Sequence, residues 1–76
     1  MDLNMKELRF HTLRGDIQQI GMESDYNKLG IRKILQARYV HGTETPITQT
    51  EFNSVLDEEY EKVEAWRARQ QKKMKG

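Results

Sequence analysis

The chain of 76 residues contains no cysteine, a single proline and no long apolar run. The absence of cysteine excludes disulfides and thiolate-bound metal sites. No apolar run reaches the roughly 18 residues that a membrane span requires, and the first residues lack the basic-then-apolar order of a secretory signal. We therefore expect a cytoplasmic protein that has no membrane partner.

Hydrophobic residues make up 36% of the sequence and charged residues 33%, a balance typical of a small helical domain. A chain of this length has room for one domain with a small core, because it removes only about 60% of its unfolded surface from water. The hydrophobic pattern predicts an all-α fold, a small three-helix domain over residues 1–76 with a long C-terminal helix. The predicted helices span about 5–20, 25–41 and 49–73.

The C-terminal segment carries the clearest helical pattern. Thr48 and Glu51 have the spacing of a capping box, and Ile47 and Phe52 have that of a hydrophobic staple. Apolar residues then recur at steps of three and four, which places them in one stripe of a helix. The stripe comprises Phe52, Val55, Leu56, Tyr60, Val63 and Trp66. Because it is apolar, the rest of the chain or a partner has to cover it.

The first segment repeats these start signals. Asn4 and Glu7 have the capping-box spacing, and Leu3 and Leu8 have the staple spacing, so a helix is predicted to begin at Met5. A narrow apolar stripe follows, suited to packing against one neighbour. That stripe comprises Phe10, Leu13, Ile17 and Ile20.

Gly21 is predicted to end the first helix, and Ser24 or Asp25 is predicted to cap the second. The run from residue 8 to residue 13 also permits an alternative, a short strand. Residues 42–47, which include a Thr-Pro step, form the one long loop that the sequence indicates.

The middle helix has apolar residues on two of its sides. The first side comprises Ile31, Ile34 and Leu35, and the second comprises Tyr26, Leu29, Ala37 and Val40. We therefore expect this helix to pack between the other two. The remaining polar strip consists of Lys28, Arg32 and Gln36.

The net charge is only +1, but the charges are unevenly distributed. Residues 1–41 carry seven bases and five acids, whereas residues 42–66 carry one base and seven acids. Residues 67–76 carry five bases and no acid. Within the last helix the acids precede the bases, which is the order that complements the helix dipole.

One buried ion pair is predicted. Arg38 lies near the middle of an apolar side of the second helix, and Glu59 lies near the middle of the apolar stripe of the third. If these surfaces meet, in the fold or across a dimer interface, the two side chains lie within salt-bridge distance and fix the helix register. The alternative is an exposed carboxylate and an arginine whose stem lies along apolar surface.

No residue pattern points to catalysis. His11 and His41 are thirty positions apart and lack the spacing of metal ligands. Ser24 occupies a cap position and Ser54 lies inside a predicted helix, so neither resembles an activated nucleophile. The five glycines form no phosphate-binding loop. We therefore expect a protein that is not an enzyme and holds no metal or cofactor.

The lengths of the helices suggest a function in protein interaction. A helix of about 25 residues spans about 37 Å, whereas the shorter helices span about 24 Å, so the end of the last helix is predicted to project. A protein partner or a second copy would bury Tyr60, Val63 and Trp66, while Arg67 and Arg69 set its orientation through charge. The alternative is that Trp66 covers the core or that the last turns bend back.

A second hypothesis is DNA binding by a small regulator. The first two helices and the short turn between them have the layout of a helix-turn-helix, in which Lys28, Arg32 and Gln36 are residue types that contact bases or phosphates. The segment from Trp66 to Lys73 also interleaves an aromatic residue with bases. Nucleic acid is therefore a possible partner on sequence grounds.

Overall fold

The computed structural model describes residues 5–42 and 47–75, with side chains from residue 6 to residue 71 of these ranges. It contains three helices, α1 (Met5–Glu23), α2 (Lys28–Tyr39) and α3 (Gln49–Lys75), and no strand in the described ranges. The all-α prediction with a long C-terminal helix is therefore confirmed, and the strand alternative for residues 8–13 is wrong. The predicted cap of α1 by Leu3 and Asn4 lies outside the described residues, as do residues 43–46 of the predicted loop.

The three helices run alternately up, down and up. α2 is antiparallel to α1, because Arg9 near the start of α1 donates to the carbonyl oxygen of Arg38 near the end of α2, at 3.2 Å. α3 is antiparallel to α2, because Lys28 at the start of α2 pairs with Asp57 well inside α3. Consequently α1 and α3 are parallel and both contact α2, as in an antiparallel three-helix bundle.

The core lies where the three apolar stripes meet. In α1, Leu13 and Ile17 are fully buried and Phe10 and Ile20 are partly buried, so the predicted stripe is confirmed. The stripe of α3 is buried from Phe52 to Val63. The buried hydrophobic residues are Leu13, Ile17, Ile31, Leu35, Tyr39, Ile47, Phe52, Val55, Leu56, Tyr60 and Val63.

The predicted capping box begins α3. The backbone N–H of Thr48 donates to Glu51 Oε1 at 3.1 Å, and the backbone N–H of Glu51 donates to Thr48 Oγ1 at 3.1 Å. The hydrogen bond from the Thr48 backbone lowers the pKa of Glu51, and Lys6 of α1, at 3.2 Å, lowers it further. Ile47 and Phe52, the predicted staple, are both buried in the core. These contacts fix where the chain enters α3.

α1 continues through Gly21 to Glu23, so the prediction that Gly21 ends the helix is wrong. Gly21 is buried, and a Cβ atom added there would lie 2.6 Å from both γ carbons of Val63. The missing side chain therefore allows α1 and α3 to approach closely. The helix ends at Glu23, and the hydroxyl of the next residue, Ser24, donates to the carbonyl oxygen of Ile20 at 2.6 Å.

α2 begins at Lys28, three residues later than the predicted start at residue 25, and ends at Tyr39, two residues earlier than predicted. Asn27 is the cap, because its side-chain oxygen accepts a hydrogen bond from the backbone N–H of Gly30 at 2.9 Å. Asparagine is as good an N-cap as serine or aspartate. Ser24, one of the predicted caps, instead closes α1.

α2 packs on one side, so the expectation of two packed sides is wrong. Ile31, Leu35 and Tyr39 are buried, whereas Ile34 is 40% exposed and Leu29 is 53% exposed. A bundle of three helices has a single interior, and each helix turns one stripe towards it. Tyr26, Leu29, Ile34 and Ala37 remain at the surface, whereas Val40, directly after α2, packs partly against the core.

Candidate interaction surface

Two residues of the predicted partner-binding set lie in the core. Val63 is fully buried against Gly21, and Tyr60 is 8% exposed. A partner cannot bury side chains that their own chain already covers. The prediction that Tyr60 and Val63 contact a partner is therefore corrected, because the α3 stripe is occupied by α1 and α2 up to this point.

Arg67 also turns inwards, where it binds the end of α1. Its Nε donates to the carbonyl oxygen of Gly21 at 3.0 Å, and its Nη2 donates to the carbonyl oxygens of Ser24 and Tyr26 at 3.0 and 2.9 Å. Nη1 donates to the hydroxyl of Tyr60 at 3.2 Å. Because α1 has no base in its own last turn, Arg67 supplies the cation that its carbonyl end favours.

The remaining two predicted residues, Trp66 and Arg69, keep surface that a partner can reach. Trp66 is half-buried and Arg69 is exposed. Arg67 marks the level at which α1 and the α1–α2 turn end, and α3 continues for eight further residues to Lys75. At 1.5 Å per residue this overhang is about 12 Å long. The projection predicted from the helix lengths is therefore present, although it begins after Trp66.

The exposed side of α3 separates its charges along the helix, and its residues Glu61 and Glu64 also line a cleft with the start of α2. Glu58, Glu61 and Glu64 are exposed, and Ala65 and Ala68 beyond them are exposed as well. Arg69 follows, and Lys72, Lys73 and Lys75 complete a segment without acids. We name the exposed side of α3 from Glu58 to Arg69 the outer face; it is the candidate interaction surface.

Glu59 is the one charged residue buried among the described side chains, at 1% exposure. Its Oε1 accepts a hydrogen bond from Gln18 of α1, and its Oε2 lies 3.2 Å from Lys62 Nζ and 3.9 Å from Arg14 Nε. The predicted pairing of Glu59 with Arg38 within the fold is wrong, because Glu59 faces α1. It does anchor the register of α1 against α3, as a buried, partnered carboxylate can.

Arg38 belongs to a second polar cluster, between α1 and α2. Its Nη1 lies 3.5 Å from Asp16 Oδ2, which also accepts a hydrogen bond from the Tyr39 hydroxyl. Burial and the bond to Asp16 raise the pKa of Tyr39 to about 12. The guanidinium of Arg9 lies 4.4 Å from the centre of the Tyr39 ring. The cluster joins the two helices and leaves Tyr39 protonated at neutral pH.

The strip predicted to contact DNA lies beside α3. Lys28 pairs with Asp57, and Gln36 accepts a hydrogen bond from Gln49 at 2.8 Å. Arg32 is exposed and lines a shallow cleft of about 400 Å³ between α2 and α3. Two of the three side chains of the strip, Lys28 and Gln36, are therefore bound to α3. DNA binding through this strip stays a prediction.

The described residues contain no group of three or more His, Asp or Glu side chains that could hold a metal ion. His11 and His41 are both exposed. Every buried polar side-chain atom in the same ranges has a hydrogen-bond partner. None of the helices, within the part of the chain described, is long and apolar enough to cross a membrane.

Comparison with known proteins adds no assignment: no protein-family model matches the chain, and neither a curated protein nor a solved structure shows significant similarity to it.

The sequence contains signals for the roles of Gly21 and Arg67, which the sequence analysis did not identify. Gly21 continues the row of Leu13 and Ile17 at steps of four, so it occupies a core-facing position without a side chain. The last turn of α1 lacks a base, which indicates that another element caps it. That Arg67 and not Arg69 binds the carbonyl end of α1 follows from the rotation of α3 against α1, which only the structure shows.

Proposed function

We propose that the chain is a non-enzymatic interaction module that binds another protein or a second copy of itself through the outer face of α3. The observation that carries the proposal is the overhang, in which α3 continues eight residues beyond Arg67, whose side chain binds the end of α1 and the α1–α2 turn. A helix end of two turns is marginal on its own in water, and it gains stability when a partner packs against it. We therefore assign partner binding to the part of α3 that α1 and α2 leave exposed.

The composition of this surface fits recognition through charge. Residues 67–76 carry five bases and no acid, and the exposed acids of the outer face lie just before them. Opposed charges at fixed positions steer a partner and set its orientation more than they raise its affinity. Trp66, half-buried one residue before Arg67, leaves part of an aromatic surface exposed near the overhang.

Site-specific photo-crosslinking tests the proposal. A photoreactive amino acid is placed at Ala68, on the outer face, and separately at Ala37, a matched exposed alanine on α2. In cells that express the chain, we expect an adduct of defined mass from position 68 and none from position 37. Equal labelling at both positions, or no adduct from position 68, would overturn the proposal. Unchanged thermal denaturation of both variants is the control for folding.

A further inference from the structure

The cleft between α2 and α3 that contains Arg32 combines apolar and polar groups. Its volume is about 400 Å³, which lies within the range of small-molecule sites. Leu56 contributes a buried apolar side chain to it, and Leu29 contributes one that is 53% exposed. We name it the Arg32 cleft. The residues that line it are Lys28, Leu29, Arg32, Asn53, Leu56 and Asp57.

The polar groups of the Arg32 cleft that lack partners are hydrogen-bond donors. The guanidinium of Arg32 is exposed and makes no ion pair or hydrogen bond with any other described residue. The side-chain oxygen of Asn53 accepts a hydrogen bond from Gln49 at 3.1 Å, so the amide N–H groups of Asn53 remain to be donated. Because a guanidinium offers donors and no acceptor, the cleft favours a ligand that accepts hydrogen bonds, above all an anion.

The charges around the cleft match a single negative charge. Lys28 pairs with Asp57, so these two charges balance each other. Among the described residues that line the cleft, Arg32 is then the one cation whose charge is not balanced. The neighbouring cleft, which shares Lys28 and Asp57, is lined by Glu61 and Glu64, and these carboxylates oppose any extension of negative charge in their direction. A monoanion therefore fits the cleft better than a polyanion does.

We propose that the Arg32 cleft binds a small monocarboxylate that has an apolar body. The guanidinium of Arg32 pairs with both carboxylate oxygens through two parallel N–H bonds, the arrangement that this side chain favours. The amide of Asn53 donates a further hydrogen bond from α3. The apolar body covers Leu29 and contacts Leu56, which removes exposed apolar surface from water. The site lies outside the outer face of α3 and is independent of the proposed function.

The exposure of Leu29 distinguishes this ligand from simpler ones. Leu29 is the most exposed of the large hydrophobic residues among the described side chains. An inorganic anion would pair with Arg32 and leave Leu29 in water, whereas a neutral apolar ligand would leave the guanidinium without an acceptor. A nucleic-acid backbone repeats its negative charge at every phosphate, which the acids of the neighbouring cleft oppose. A carboxylate joined to an apolar chain satisfies both groups at once.

Titration of the full chain with hexanoate, followed by NMR of its ¹⁵N-labelled backbone amides, tests the proposal. Hexanoate should cause saturable shifts around residues 28–33 and 53–57, with a dissociation constant in the millimolar range expected for so small a ligand. Acetate has the charge without the apolar chain, and hexanamide has the chain without the charge. Each should bind about tenfold more weakly than hexanoate, because each makes only one of the two kinds of contact.

Matched variants locate the site. Arg32→Gln should raise the dissociation constant for hexanoate about tenfold, because it removes the charge that holds the carboxylate. Lys33→Gln removes the same charge from the next residue of α2, which is exposed and does not line the cleft. It should change the dissociation constant by less than about twofold. Leu29→Gln should weaken hexanoate about fivefold and leave acetate unchanged. Circular dichroism checks that every variant keeps its helices.

Hexanoate that causes no saturable shifts would overturn the proposal. Equal weakening by Arg32→Gln and Lys33→Gln would also overturn it, because that result indicates attraction to the overall charge of α2. Equal binding of acetate and hexanoate would remove the apolar body and contradict the proposed ligand class. Arg32-dependent binding of a DNA duplex, without binding of hexanoate, would support the DNA-binding hypothesis instead. These results are separate from the adduct at position 68, which tests the proposed function.

Discussion

The two contacts that α3 makes within the bundle are built differently. Against α1 it places a buried carboxylate, Glu59, a close approach at Gly21, and the inward-turned Arg67. Against α2 its polar contacts lie at the rim, where the side chains of Lys28 and Asp57 are 47% and 62% exposed. Buried polar groups and close approaches are costly to disturb, whereas exposed ion pairs contribute little. The α1–α3 contact should therefore dominate stability.

The largest expected effect comes from Glu59. Glu59→Ala removes the acceptor of Gln18 and leaves a cavity, so we expect the free energy of unfolding to fall by about 3 kcal/mol. Urea denaturation in dilute solution measures the change. Glu58→Ala, a change to the exposed neighbouring carboxylate, should stay within about 0.5 kcal/mol of the wild type. Similar losses of unfolding free energy in both variants would show that the burial of Glu59 does not make it more important for stability than the exposed Glu58.

Arg67 should have the next largest effect. Arg67→Ala leaves three carbonyl oxygens without their cation, and we expect a loss of about 2 kcal/mol in thermal or chemical denaturation. Arg67→Lys should recover little of it, because one ammonium cannot replace a planar guanidinium that bonds several acceptors at once. Arg69→Ala, two residues away and exposed, should be nearly neutral. A sensitive Arg69 and a tolerant Arg67 would reverse the assignment of their roles.

The two glycines of α1 should respond in opposite directions to the same substitution. Gly21→Ala forces a methyl group towards Val63, and we expect a net loss of about 1–2 kcal/mol after the gain in helix propensity. Gly15 has no atom within 4 Å of its added Cβ, so Gly15→Ala should gain about 1 kcal/mol. Thermal denaturation of the pair measures both.

A double variant identifies the cause of the loss at Gly21. Val63→Ala alone creates a cavity, which the methyl group of Gly21→Ala can partly fill. The double variant should therefore be more stable than the sum of the two single effects predicts. Strict additivity of the two losses would mean that contact with Val63 is not the reason why position 21 excludes a methyl group.

These contrasts show how much of the fold the sequence carries. The stripes of α1 and α3 and the capping box at Thr48 were predicted because they depend on intervals along one helix. The partner of Glu59 and the role of Gly21 depend on the rotation of one helix against another, which no local interval specifies. The end of α1 was misplaced because glycine marks a helix end and a close helix contact equally well.

The same distinction applies to the candidate surface. The projection of α3 was predictable from helix lengths, because rise per residue is constant. The sequence could not predict which residues near the end of the α3 stripe stay exposed. An apolar stripe predicts that its residues are covered, but it does not say whether another helix of the chain or a partner covers Tyr60, Val63, Trp66 and Arg67.

The α1–α2 contact should show a dependence on pH. The pKa of Tyr39 is about 12, above its ordinary value of 10, so the protonated hydroxyl stabilises the folded state below pH 10. That contribution is lost as the pH rises from 10 to 12, because in this interval the unfolded state releases the Tyr39 proton while the folded state still holds it. The two-unit shift corresponds to at most about 2.7 kcal/mol, and solvent around the partly exposed Arg38 and Asp16 reduces it, so we expect the stability difference between wild type and Tyr39→Phe to fall by about 1 kcal/mol over this interval. A constant difference would contradict the bond to Asp16.

The smallest expected effect is at the rim of the α2–α3 contact. A double-mutant cycle with Lys28→Ala and Asp57→Ala isolates the coupling of the pair, which we expect to be about 0.5 kcal/mol or less in low salt. Both side chains are largely in water, so the cost of ordering them offsets most of the attraction, and added salt screens the rest. A coupling as large as the loss from Arg67→Ala would show that α3 is held as firmly by α2 as by α1. A negligible coupling would leave α2 attached to α3 through Ile31, Leu35 and the rest of the core, with the Lys28–Asp57 pair dispensable.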